Sequence, residues 1–128
     1  MKLKLSCLAI AVGIGIDGCS NDVSESDLPG RYEFVASKMQ RVITIESDGQ
    51  YRNSFVQNGA VVWTDVGSWK SETVNGVRGI TFEQFRFGIP GHRSSKGFWI
   101  VKPEKPMWGA IKLCFDLDLG HCFERSNL

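Results

Sequence analysis

Between residues 41 and 70 the chain reads RVITIESDGQYRNSFVQNGAVVWTDVGSWK, with apolar and polar positions alternating through most of it. A period of two marks a half-buried strand, because successive side chains point to opposite faces of a sheet. Asp48-Gly49 and Asn58-Gly59 punctuate the run. Such dipeptides supply the positive φ angles of tight hairpin turns, so the stretch predicts an antiparallel meander. Its strands are 40–46, with Ile43 and Ile45 on one face and Val42 and Thr44 on the other, and 50–57, where Tyr51, Asn53 and Phe55 alternate with Arg52, Ser54 and Val56. Strands at 60–64 and 66–73 follow, and Gly67 predicts a bulge or a close backbone approach under Trp69.

The same pattern extends to both sides. A strand at 31–37 precedes the meander, and Asn75-Gly76 turns the chain into 77–87. In that strand Ile80 and Phe82 have one parity and Phe85 and Phe87 the other, so a bulge near Glu83-Gln84 must switch the face. GIPGHRSSKG at 88–97 is a loop, 98–102 a short strand and 102–106 a proline-bounded loop. A strand at 108–116 then enters a terminal hairpin through Asp118-Leu119-Gly120, closed by 121–125. No stretch after residue 30 carries the spacing of a helix longer than two turns. A flat sheet of about eight short strands would leave an apolar face and two edges uncovered. The expected fold is therefore all-β, a small antiparallel up-and-down meander or barrel.

The N-terminus carries a different signal. Lys2 and Lys4 precede LSCLAIAVGIGI, an apolar run of about a dozen residues, which suits a secretory leader and is too short to span a bilayer. It ends in Ile16-Asp17-Gly18-Cys19, which resembles the lipobox of bacterial lipoproteins, with Asp17 standing where that pattern has a small or aliphatic residue. The resemblance implies cleavage before Cys19 and its acylation. In Gram-negative lipoproteins Ser20 at the next position would imply the outer membrane. The expected organisation is a signal peptide over 1–18, a flexible polar tether over 19–29 and one domain over 30–128.

Processing changes the charge and the cysteine count. Loss of Lys2, Lys4 and Asp17 from 15 basic and 14 acidic residues leaves 13 of each. A neutral domain has no global field with which to collect nucleic acid, so no nucleic-acid partner is expected. Cys7 leaves with the leader and Cys19 would carry lipid, so Cys114 and Cys122 remain. In an oxidising compartment they are expected to form a disulfide across the last hairpin, worth about 2–3 kcal/mol on the chain-entropy model.

ITIESDGQY, followed by GSWK, resembles the lipocalin-like meander of small bacterial envelope proteins, and KLCFDLDLGHCFER is similar to the last hairpin of uncharacterised lipoproteins of that kind. The resemblance implies a fold and a compartment and transfers no catalytic residue.

Candidate chemistry is sparse. Asp116, Asp118 and Gly120 have the spacing of the start of a calcium loop, but Asn127 stands where its closing acid would be, and an Asp- and Gly-rich hairpin turn accounts for them. No nucleophile elbow, HExxH helix or phosphate-cradling glycine loop is present, and Ser94 and Ser95 beside His92 lack the third group of a triad. No enzyme, metal or cofactor is expected. Trp69 and Trp99 are assigned to the core, and Trp108, beside Met107 and Pro106, to a candidate contact surface. Arg86, His92, Arg93, Lys96, Lys102 and Lys105 form a basic arc suited to an anionic group or an acidic partner loop.

These observations lead to one expectation and one alternative. The first is a lipoprotein anchored in the bacterial outer membrane and facing the periplasm, engaged in non-enzymatic recognition of an envelope or protein partner as an inhibitor, immunity protein or scaffold. Arg86, His92, Arg93, Lys96 and Trp108 are its expected contact residues. The alternative is a lipocalin-like carrier of a small apolar ligand, which needs a cavity lined by Ile43, Ile45, Phe82 or the tryptophans.

Overall fold

The computed structural model describes residues 23–87, 96–116 and 119–126. The leader, Cys19, His92, Arg93 and Asp118 lie outside the described residues. Eight antiparallel strands form one nearly closed, barrel-shaped sheet: β1 (Gly30–Ala36), β2 (Met39–Ile45), β3 (Gln50–Gln57), β4 (Ala60–Val74), β5 (Val77–Arg86), β6 (Lys96–Val101), β7 (Lys112–Asp116) and β8 (His121–Arg125). The order is β6-β5-β4-β3-β2-β1-β8-β7. The first six strands are thus a meander, and the last hairpin closes it from the far side through the pairs Tyr32↔Arg125 and Glu33↔Glu124. The seam falls between β6 and β7, where Trp99 meets Phe123 at 5.8 Å and Phe87 meets Phe115 at 6.2 Å.

The turns form as the dipeptides require. Asn58 and Gly59 have φ of 52° and 81°, Asn75 and Gly76 of 53° and 79°. The two predicted strands at 60–64 and 66–73 are one, β4, whose first part pairs with β3 and whose part from Trp69 onward pairs with β5. This change of partner is how the sheet curls. The predicted switch in β5 is a bulge between Phe82 and Phe85, with Gln84 at φ 56°, and it keeps Ile80, Phe82 and Phe85 all inside. The strand predicted from 108 begins only at Lys112, because Gly109, at φ 117°, bends the chain ahead of it.

Successive strands run in opposite directions, so the turns sort to two ends. At the mouth lie Ser37-Lys38, Asn58-Gly59, the end of β5, the start of β6 and the β7–β8 turn. At the base lie 46–49, Asn75-Gly76, the 102–111 loop and the segment ahead of β1. That segment corrects an expectation, since residues 23–29 are not free tether. Val23 and Leu28 are buried in the core, the Val23 carbonyl accepts from Arg78 Nε at 2.9 Å, and a 3-10 turn, Glu25–Asp27, joins them. Two apolar side chains at the right distance from Gly30 cap the open base, which removes them from water.

Inside, rings pack on rings. Phe82 stacks on Trp99 at 5.3 Å, Tyr51 meets Phe82 edge-on at 5.1 Å, and Phe85 touches Trp99 at 4.8 Å. Ile43, Ile45 and Ile80 are buried in the same cluster. Gly67 answers to the close approach predicted there, but its neighbour is Tyr51 across the strand pair rather than Trp69. A Cβ at Gly67 would lie 2.7 Å from the Tyr51 ring, whose hydroxyl donates to the Glu83 carbonyl at 2.6 Å. Gly67→Ala is therefore expected to cost about 1–3 kcal/mol by displacing a held ring. Denaturant unfolding reads that loss.

The two tyrosines of the chain supply a pH test. Burial pushes the Tyr32 and Tyr51 phenols up to about 12, with Asp65 and Glu83 adding to the shift at Tyr51. Tyr32 donates to the Leu28 carbonyl at 2.6 Å. In the unfolded chain both would ionise near 10. Their contribution to stability is complete below about pH 10 and is lost as pH rises towards 12, because the unfolded state gives up the protons first. Tyrosinate absorbance is expected to stay flat through pH 10 and to rise only near 12 or with alkaline unfolding; a transition near 10 in the folded protein contradicts this packing.

Candidate functional site

Arg41 has the same parity as Ile43 and Ile45 on β2, and Asn53 the same parity as Tyr51 and Phe55 on β3. Because alternate residues share a face, strands that bury these apolar residues must also bury the two polar ones. Both are fully buried. Arg41 Nη2 donates to Asn53 Oδ1 at 2.5 Å and to the Arg86 carbonyl at 2.9 Å, and Nε donates to the Ser54 carbonyl at 3.3 Å. Asn53 Nδ2 donates to the same Arg86 carbonyl at 2.8 Å. Among the described residues every acceptor of the guanidinium is neutral, and its buried Nη1 has no hydrogen-bond partner.

Such a charge is held mainly by rings and a distant acid. The Arg41 Cζ lies 4.9 Å from the Trp63 ring centre and 5.8 Å from that of Phe123. Arg86 approaches the same tryptophan, its Cζ 4.6 Å from the ring. Cation–π attraction of this kind offsets part of the desolvation cost. Burial lowers the Arg41 pKa to about 10; Asp65 opposes the shift and Arg86 adds to it. The group remains a cation at neutral pH.

Asp65 is occupied elsewhere. Arg86 Nη2 donates to its Oδ1 at 3.4 Å, Arg86 Nε stands 3.0 Å from Oδ2 without hydrogen-bond alignment, and Lys96 Nζ lies 3.7 Å from Oδ1. Among the described residues, Arg86 and Lys96 thus pair with Asp65, which also acts on the Arg41 charge at longer range. An oxyanion suits this arrangement, since guanidinium N–H groups bind carboxylate and phosphate through charge-assisted hydrogen bonds. Beside the cluster, Phe34, Ala36, Met39, Gln57 and His121 line an open depression of about 430 Å³.

The structure divides the contact residues expected from sequence. Arg86 and Lys96 come together on Asp65, whereas Trp108 projects from the loop at the base and is 86% exposed. Lys102 and Lys105 belong to that loop as well, so the basic arc is split between the two ends. Reading charges along a loop missed Arg41, Asn53, Trp63 and Asp65. Strand parity carried the signal for the first two. Asp116 Oδ1 accepts from the Leu119 N–H at 3.2 Å, which is turn chemistry, and Cys114 and Cys122 are cross-strand partners joined by a disulfide. Among the described residues no cluster of His, Cys, Asp and Glu could hold a metal ion.

No family model, curated protein or solved structure matches the chain.

Proposed function

We propose that this is a lipoprotein, acylated at Cys19 and held on the periplasmic face of the bacterial outer membrane, whose barrel mouth recognises an anionic group of an envelope partner without chemical turnover. The observation that carries the reading is the Arg41 guanidinium, fully buried and, among the described residues, bonded only to neutral acceptors with its Nη1 unpartnered. A buried cation lacking a bonded anion is costly to the fold, so its presence is better accounted for by binding than by stability. Lys96, about half-exposed beside Asp65, supplies attraction at the rim.

A carrier of a small apolar ligand is the second reading. The Ile43, Ile45 and Phe82 positions it would use are packed against neighbours, but the depression lined by Phe34, Ala36 and Met39 favours an apolar group at the mouth.

Native mass spectrometry of the mature protein taken from its own envelope, with and without Arg41→Met, separates these readings. A partner or anionic molecule bound to the wild type and lost from the variant supports recognition. An apolar molecule retained by both moves the assignment to the carrier, and a bare wild-type domain overturns both. The denatured mass reports the acyl chains on Cys19 and the two hydrogens missing for the disulfide.

A further inference from the structure

We propose that the barrel stands on the membrane by its base, with Met107 and Trp108 inserted into the interfacial layer of the lipid to which the chain is tethered. The inference rests on the reading of Cys19 as the acylated residue. Its first support is the length of the tether. Val23 is fixed in the core at the base, and Cys19 lies four residues before it. Four extended residues span at most roughly 14 Å. The lipid is therefore confined to within that distance of Val23, close to the base rather than the mouth.

The second support is what the base presents. Asp27, from the segment following Val23, lines a depression of about 390 Å³ together with Lys105, Gly109 and Arg125, which places the 102–111 loop beside the segment that leads to the lipid. From this loop project Trp108, 86% exposed, and Met107, 74% exposed, the two most exposed large apolar side chains among the described residues. An indole, apolar in body with one N–H, suits the boundary between acyl chains and headgroups. A protein partner at this patch would have to share a gap of roughly 14 Å with the bilayer, so the lipid surface is the better occupant. The acyl chains anchor and the loop orients, turning the Arg41 mouth away from the membrane.

The test uses the acylated full-length mature protein in vesicles of phosphatidylethanolamine and phosphatidylglycerol, with and without bromine on the lipid chains. Brominated lipid is expected to quench part of the tryptophan emission, and Trp108→Phe to abolish that loss while the protein still sediments with vesicles. Adding Phe98→Trp to that variant puts a probe on the outward face of β6; its emission should stay unquenched, and quenching there would mean that the barrel lies on its side and would overturn the inference. Emission untouched by brominated lipid in an acylated wild-type protein overturns it too. A denatured mass lacking acyl chains removes the reading of Cys19 and this inference with it.

Discussion

Phe85→Ala is expected to cost about 3–5 kcal/mol, the usual range for emptying a buried aromatic site. Phe85 is 1% exposed, and its ring meets those of Tyr51, Phe82, Phe87 and Trp99 at 4.8 to 5.9 Å. The Arg41 Cζ lies 6.0 Å from it, so the loss also loosens the wall behind the candidate site. A domain of this size has about 5–15 kcal/mol in all, and each kcal/mol moves Tm by about 4–8 °C. The variant should therefore melt roughly 12 °C or more below wild type. Phe98→Ala is the control of identical chemistry. Phe98 is 73% exposed, and its removal should stay within about 0.5 kcal/mol. Equal losses at the two positions would contradict the assignment of inner and outer faces.

That contrast shows what the sequence made legible. Phe85 and Phe98 are the same residue in neighbouring strands, and only parity separates them. Once a bulge is placed near Gln84, Phe85 falls inside, and the bulge itself could be read from the change of parity after Phe82. Period and turn chemistry are local properties, so strands 50–57 and 121–125 and the turns at Asn58-Gly59 and Asn75-Gly76 were readable from neighbours alone. The docking of Val23 and Leu28 was not. SNDVSESDLP is small, polar and acidic, with only two isolated apolar residues, and whether those bury depends on an open barrel base that a local pattern does not describe. The seam between β6 and β7 is likewise a matter of closure, set by which of two distant hairpins reaches β1.

The site was hidden for a related reason. A reading of charge along the chain finds runs, and it found Arg86 and Lys96 because they flank a basic loop. Arg41 and Asn53 sit singly in strands, where a polar residue ordinarily belongs to the solvated face. What distinguishes them is that Ile43 and Ile45 on one strand, and Tyr51 and Phe55 on the next, leave no choice of face. A lone polar residue in phase with the buried set is the signal, and it applies to any small barrel with one filled interior.

Arg41→Met is expected to separate binding from stability. Methionine is of comparable length, flexible and apolar, so it can lie along Trp63 and Phe123 without bringing a charge inside. The Arg86 carbonyl keeps its bond from Asn53 Nδ2, and the loss is confined to Asn53 Oδ1 and the Ser54 carbonyl. An unpaired buried acceptor costs about 1–3 kcal/mol, while relief from burying the guanidinium returns an amount of the same order. The net change in unfolding free energy should be within about 1 kcal/mol, set by these opposing effects. Binding should respond far more strongly. Removing one partner of a buried charge pair costs about 2–5 kcal/mol, a loss of about 30-fold to several thousand-fold. Inorganic phosphate and acetate, titrated at constant ionic strength, should raise the wild-type Tm saturably and leave the variant's unmoved. Lys96→Gln, at the exposed rim, should weaken the effect only a few-fold and mainly at low salt. If Arg41→Met instead destabilises the fold as much as Phe85→Ala and neither anion shifts the wild type, Arg41 is a structural residue and the mouth is not an anion site.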